Sequence, residues 1–274
     1  MALSIEGKVA LVTGGARGIG AGIVKALSDA GASIMVADIG VGQAATEAEG
    51  ADWGYLLAND SDLAETLKSG ADIKAVHVDV ANAKSCADAV AATIAVFGRL
   101  DILVNNAGIV QTGPIETFDE EVWDRIFAVN TKGIFLMTQA ALPHLLVSDQ
   151  AAIVNTASIA GKQGYRNSAA YCGSKFAAIG VTQSLAAELA PQNIRVNAIC
   201  PGMVGTAMWL EHLLTTDSTD SAQKQAEFEE KMQTTIPLGN HQTAADMGDA
   251  VLYLVTAPNV TGISLTVAGG FEIN

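Results

Sequence analysis

Between Lys8 and Val267 the chain repeats one pattern: a short apolar run with no polar alternation, then a longer stretch with helical spacing. The runs are Lys8–Thr13, Ser33–Ala37, Ile73–Val80, Ile102–Asn105, Ala152–Thr156, Ile194–Ile199 and Ile263–Val267. A strand apolar at every position is one covered on both faces, as parallel strands are. Helical spacing follows at Ile19–Leu27, along Ala87, Val90, Ile94 and Phe97, and over Glu120–Leu146 and Ser168–Leu189. This order predicts an α/β fold, a Rossmann-type doubly wound parallel sheet of about seven strands with helices on both faces. No linker or composition break divides residues 1–274, so one domain is expected.

Two segments interrupt the rhythm. Gly40–Asp60 delays the third strand and reads as an insertion; Ser61 or Asp62 is then expected to cap a helix running to Lys68, with Gly70 as its stop. Met203–Pro237, rich in Thr, Ser, Glu and Gln, has the length of a lid or binding segment.

Composition narrows the function. With 15 basic and 29 acidic residues the net charge is −14, which opposes binding to nucleic acid or an anionic membrane. The three cysteines, Cys86, Cys172 and Cys200, are too few and scattered for a disulfide framework and are expected as reduced thiols of a cytoplasmic protein. The N-terminus lacks a signal-peptide pattern, and no apolar run reaches the length of a membrane span. His77, His144, His212 and His241 have no ligand spacing, so no metal is expected; His144, beside Pro143, is placed near a helix end.

The first run ends in Thr13-Gly14-Gly15-Ala16-Arg17-Gly18-Ile19-Gly20. Glycines between a strand and a helix permit a tight turn and let backbone approach a pyrophosphate at the helix N-terminus. Asp38, followed by Ile39, ends the second strand about 20 residues on, where a carboxylate accepts hydrogen bonds from a ribose and repels a 2′-phosphate. Arg17 points the other way, as a cation beside the loop. Asp38 meets the 2′ position more directly, so NAD is favoured over NADP.

Tyr171 and Lys175, at i and i+4, share one face of a helix. An ammonium stabilises a neighbouring phenolate and brings tyrosine closer to acid–base work at neutral pH. Ser158 follows the fifth strand, and the next helix returns Tyr171 and Lys175 to the same sheet edge, where α/β proteins bind ligands.

With Thr13–Gly20, Asn105-Asn106-Ala107-Gly108, Ser158 with Tyr171-x-x-x-Lys175, and Pro201-Gly202 with Thr206 in that order, the chain resembles the short-chain dehydrogenase/reductase family over essentially its whole length. The resemblance implies hydride transfer between a nicotinamide and a secondary alcohol or ketone. Tyr171 would be the general acid/base, Ser158 the residue that holds the substrate oxygen, and Lys175 the group that tunes Tyr171 and binds ribose. Asn130 would join Lys175 to a water relay. It further implies a cofactor bordered by Gly14, Arg17, Gly18, Ile19, Gly20, Asp38, Ile39, Asp79, Val80, Asn106, Ala107, Gly108, Pro201, Gly202, Val204 and Thr206. A homotetramer is implied too, and Ala268 stands where the family usually has aspartate.

The substrate pocket is expected from Val110, Gln111, Ala160, Gln163, Tyr165, Met203, Met208 and Trp209, together with Ser158 and Tyr171. Met208, Trp209 and Leu213 fit equally a helix packed on its own core. Mixed apolar and amide character suits a small cyclic alcohol, secondary alcohol or polyol. Two alternatives remain. One is an NADPH-dependent reductase of 3-oxoacyl thioesters or carbonyls, for which Lys162 and Arg166 could form a basic patch near the pocket. The other is a non-catalytic nucleotide-binding relative.

Overall fold

Each apolar run folds as a strand because its side chains leave the backbone alternately toward two helical layers. The computed structural model describes residues 2–42, 58–214, 216 and 218–272. Its strands are β1 (Val9–Thr13), β2 (Ser33–Asp38), β3 (Ile73–His77), β4 (Ile102–Asn105), β5 (Ala152–Thr156), β6 (Arg195–Pro201) and β7 (Ser264–Val267). They form one parallel sheet in the order β3-β2-β1-β4-β5-β6-β7. The helices are α1 (Gly18–Asp29), α2 (Asp60–Leu67), α3 (Ala83–Phe97), α4 (Glu120–Phe127), α5 (Gly133–Leu145), α6 (Ala169–Leu189), α7 (Ser221–Thr235) and α8 (Ala244–Thr256). Ala10, Val12, Ile34, Val36 and Val104 meet Ile23, Val24 and Leu27 of α1 and Met247, Val251 and Leu254 of α8. Their neighbours Leu11, Met35, Leu103, Ile153 and Val196 enter the opposite core with Val90 of α3, Leu136 and Met137 of α5 and Leu189 of α6. Among the described residues no helix is long and apolar enough to cross a membrane, and no cluster of His, Cys, Asp and Glu could hold a metal.

Several local expectations are corrected. The single helix expected over Glu120–Leu146 is α4, a π-turn at Ala128–Lys132, and α5. A π-turn adds one residue to a single turn, a departure from α spacing too short for apolar periodicity to reveal. His144 does lie in the last turn of α5. On α3 the buried stripe is Cys86, Ala89, Val90 and Thr93, whereas Ala87 is exposed; one methyl carries too little apolar area to orient a helix. The third strand stops at His77; beyond it the Val78 N–H still donates to the Asp38 carbonyl at 3.1 Å, and Val78 and Val80 are buried.

The cap of α2 is Asn59, not Ser61 or Asp62. Its side chain accepts from the Ser61 and Asp62 N–H groups at 2.8 and 3.2 Å, and Asp62 reciprocates by accepting from the Asn59 N–H. Residues 43–57 of the expected insertion lie outside the described residues; at its ends the Gly42 N–H donates to Asp60 Oδ1 at 3.1 Å. The 203–237 segment is largely helical, with a π-turn at Met208–Leu213 followed by α7. Phe228 and Met232, four residues apart on α7, are buried with Met203, Leu214 and Ile236.

At the amino edge of the sheet Asp101 joins separate parts of the chain. The Val9 N–H and Arg99 Nε donate to its Oδ2 at 2.9 and 2.7 Å; Arg99 Nη2 and the Ser148 hydroxyl donate to Oδ1, each at 2.6 Å. Burial pushes the Asp101 carboxyl up, but the Arg99, Ser148 and Val9 donors outweigh it and hold the group below the usual carboxylate range. A depressed carboxylate stabilises the fold above its unfolded pKa, and that contribution is lost as pH falls through the folded pKa. Asp101→Asn is therefore expected to cost about 1.5–3 kcal/mol in urea unfolding at pH 7. The gap from the parent protein should close once the solution is more acidic than the folded pKa of Asp101, because both proteins are then neutral at this position. A gap that stays constant into that acid range would contradict the assignment.

Candidate active site

The strand order reverses between β1 and β4, so the loops leaving their carboxyl ends run to opposite sides and open a crevice. Thr13, the last residue of β1, closes its floor. Its Oγ1 accepts the N–H groups of Asn106 and Ala107 at 3.0 and 3.1 Å and donates to the Val104 carbonyl at 3.4 Å. The Asn106 amide returns the link by donating to the Thr13 and Gly14 carbonyls at 3.2 and 3.0 Å, and Thr156 Oγ1 of β5 donates to Asn106 Oδ1 at 3.2 Å. Three strand ends are thereby held in one network.

A cavity of about 890 Å³ lies over this floor. Every residue expected to border a cofactor lines it, from Gly14 and Arg17 through Asp38, Ile39, Asp79 and Val80 to Gly108, Pro201 and Thr206. Gly14 has φ +62°, and a Cβ there would stand 2.8 Å from Ala107 Cα; a Cβ on Gly20 would fall onto the Gly14 carbonyl. Close backbone packing thus requires both glycines, and with Gly18 they line the cavity at the start of α1, where a pyrophosphate would meet main chain. The Asp38 carboxylate is buried and aimed by the chain: Oδ2 accepts from the Ala16 N–H and Oδ1 from the Gly40 N–H, each at 3.1 Å. Both oxygens keep lone pairs for ribose hydroxyls. Arg17 Nη1 lies 3.8 Å from Asp62 Oδ2. These residues fit a dinucleotide.

Farther along the cavity stand Ser158, Tyr171 and Lys175. Ser158 Oγ accepts the Ala160 N–H at 3.1 Å, which leaves its proton for another partner. Tyr171 and Lys175 lie one turn apart on α6, and Lys175 Nζ sits 5.7 Å from the Tyr171 ring centroid. Lys175 is buried and donates to the Thr156 carbonyl at 2.9 Å. Burial pushes its ammonium down to about 8, with Cys200 acting weakly the other way.

Asn130 sits in the π-turn just behind, outside the cavity lining. Its Oδ1 accepts the Ile109 N–H at 2.9 Å; its Nδ2 donates to the Ile109 carbonyl at 2.9 Å and to Ser174 Oγ at 3.0 Å. Ser174 in turn donates to the Tyr171 carbonyl at 2.7 Å, and Thr131 Oγ1 donates to the Ser174 carbonyl at 3.0 Å. Ser174 escaped the sequence reading, although it adjoins Lys175; Thr13 heads the glycine loop, but nothing in that motif shows its role as an acceptor.

The substrate-side expectations divide. Val110, Ala160, Tyr165, Met203, Met208 and Trp209 line the cavity. Trp209 also packs on Phe228 with ring centroids 5.9 Å apart, so the core and pocket readings both hold for it. Gln163 does not line the cavity; its Nε2 donates to the Tyr165 hydroxyl at 2.6 Å instead. Gln111 is likewise absent from the lining, and its Oε1 is buried without a partner. Lys162 donates to Thr266 Oγ1 at 2.7 Å, and neither it nor Arg166 lines the cavity. Arg125 of α4, Lys231 of α7 and Phe271 do line it. They lie outside any motif, and only the tertiary fold brings them there.

Comparison with known proteins agrees with this geometry. The family model described as short chain dehydrogenase matches residues 8–217. The 2-(S)-hydroxypropyl-CoM dehydrogenase 3 of Xanthobacter autotrophicus is 34% identical over 98% of this chain and 98% of its own. The (+)-borneol dehydrogenase 2 of Salvia officinalis is also 34% identical, over 98% of this chain and 90% of its own. The crystal structure of carveol dehydrogenase from Mycobacterium avium in complex with NAD superposes with a TM-score of 0.86 at 30% identity, covering 98% of both chains.

The floor network makes a direct prediction. Thr13→Val keeps the shape but strips two half-buried N–H groups of their acceptor, and is expected to cost about 1–2 kcal/mol of stability. Thr13→Ser should recover most of that loss in urea unfolding. Equal stability of the valine variant would show that the network is not needed.

Proposed function

The chain belongs to the short-chain dehydrogenase family, and from that premise we propose that it is an NAD-dependent dehydrogenase of small secondary alcohols, cyclic alcohols or polyols. The family membership makes it an alcohol oxidoreductase. One observation carries the finer reading: Ser158, Tyr171 and Lys175 share a single cavity with the glycine loop and an aimed, buried Asp38. We read the whole chain as one catalytic domain, working as a cytoplasmic homotetramer. Phe135 and Phe176, 50% and 47% exposed on α5 and α6, support self-association.

In oxidation the Ser158 hydroxyl donates to the carbinol oxygen and holds it beside Tyr171. Tyr171 removes the hydroxyl proton as general base; in the reverse direction it returns the proton as general acid. Lys175 favours the phenolate electrostatically and, being fixed on the Thr156 carbonyl, keeps its charge beside Tyr171. Asn130 and Ser174 keep the first turn of α6 in place. Pro201 and Gly202 would help hold a nicotinamide, which would supply the hydride acceptor.

Asp38 supports NAD over NADP, because a 2′-phosphate would meet its carboxylate at close range. The pairing of Arg17 with Asp62 supports the same choice. Fluorescence titration is expected to show NADH binding at least about tenfold tighter than NADPH, a difference of about 1.4 kcal/mol. Asp38→Asn should narrow the gap, mainly through NADPH. Tighter NADPH binding by the parent protein would move the NADPH-dependent reductase reading forward.

Tyr171→Phe is expected to lower kcat by about 10²–10⁴-fold while leaving the NADH dissociation constant within about twofold. Substantial turnover by that variant would remove Tyr171 from its role.

A further inference from the structure

Tyr165 is an unused polar group in the wall of the cavity. It lies on the segment between Ser158 and Tyr171, and its backbone N–H donates to Cys172 Sγ at 3.4 Å. That bond ties its loop to the first turn of α6, one residue beyond Tyr171. The Gln163 amide donates to the Tyr165 oxygen at 2.6 Å. A phenol has one proton to give and lone pairs to receive. With Gln163 serving as donor to that oxygen, the Tyr165 hydroxyl keeps its own proton for a partner beyond the protein.

The surroundings say which partner. The reacting oxygen is already served by Ser158 and Tyr171. The rest of the substrate-side lining includes Met203, Met208, Met232 and Phe271, which have no proton to give a second substrate oxygen, beside the Trp209 indole N–H and the Arg125 and Lys231 side chains. Burying a substrate oxygen there unpaired is costly, and the half-buried Tyr165 hydroxyl is a donor in the cavity wall. Burial raises the Tyr165 pKa, Gln163 opposes, and Glu272 and Cys172 add to the rise, so the group stays a neutral donor rather than a second base.

We propose that the Tyr165 hydroxyl, held by Gln163, donates a hydrogen bond to a second oxygen of the substrate, so that the preferred alcohols carry an additional hydroxyl or carbonyl. This narrows the substrate class and rests on the alcohol dehydrogenase reading above.

The test uses the intact protein with NAD⁺ and matched pairs of substrates. Cyclopentanol and cyclohexanol are compared with the corresponding vicinal diols, both cis and trans, and with the corresponding hydroxy ketones. The parent protein is expected to favour the best dioxygenated substrate over its mono-alcohol by tenfold or more in kcat/KM. Tyr165→Phe should collapse that ratio toward one, chiefly by raising KM for the dioxygenated substrate. Gln163→Leu, which frees the hydroxyl without removing it, should lower the ratio part of the way. NADH binding reports that each variant is folded.

A parent protein without the preference overturns the proposal. So does Tyr165→Phe if it lowers both substrates of a pair in the same proportion, the signature of a structural role. If the parent protein binds NADH but oxidises no member of the panel, the failure lies in the alcohol dehydrogenase reading itself and takes this proposal with it.

Discussion

The cross-link between the ends of β1 and β4 is the interaction on which the rest depends. A parallel sheet whose order reverses leaves a gap where two neighbouring strands send their loops apart. Backbone groups at that gap have lost the sheet partners they would otherwise have, and they are buried under whatever binds there. Thr13 and Asn106 answer this by satisfying each other's chains, and Thr156 extends the link to β5. The crevice stays open while its floor is as closely hydrogen-bonded as the sheet interior.

The catalytic end uses the same logic with helices. Tyr171 and Lys175 gain their relative position from one turn of α6, which is local geometry. Their position over Ser158 is not local. It depends on α6 being pinned against the π-turn, where Asn130 bonds the Ile109 backbone on one side and Ser174 on the other. In that turn Asn130 is buried and Thr131 also bonds α6, through the Ser174 carbonyl. Lys175 then sits in surroundings dry enough to pull down its own pKa, and a charge there acts strongly on a nearby phenol.

The two ends of the cavity differ in how firmly they are built. Near Asp38 and the glycine loop, contacts are backbone to carboxylate and backbone to backbone, with little freedom. Toward the 203–237 segment the walls are side chains of Met203, Met208, Trp209 and Met232, of which Met203, Trp209 and Met232 pack in one cluster with Phe228 and Ile236. Thioethers and large rings adapt to the shape of what they meet. One end is thus suited to a fixed cofactor and the other to selecting among substrates.

Much of this was readable from the chain alone. Strands covered on both faces betray themselves as unbroken apolar runs, and the glycine loop, Asp38, Ser158, Tyr171 and Lys175 each occupy a fixed distance from such a run. Their spacing is set by the dimensions of strands and turns, so their meeting at one sheet edge follows from order in sequence. The sequence could not show the π-turn, the Asn59 cap, the helix hidden in the polar 221–235 stretch, or the turning of Gln163 away from the cavity toward Tyr165. Nor could it place Ser174, Arg125, Lys231 and Phe271 at or around the site. Those features depend on which side chain finds which partner across tens of residues. Such pairings are decided by three-dimensional packing and hydrogen-bond satisfaction, for which no local pattern in the chain is a substitute.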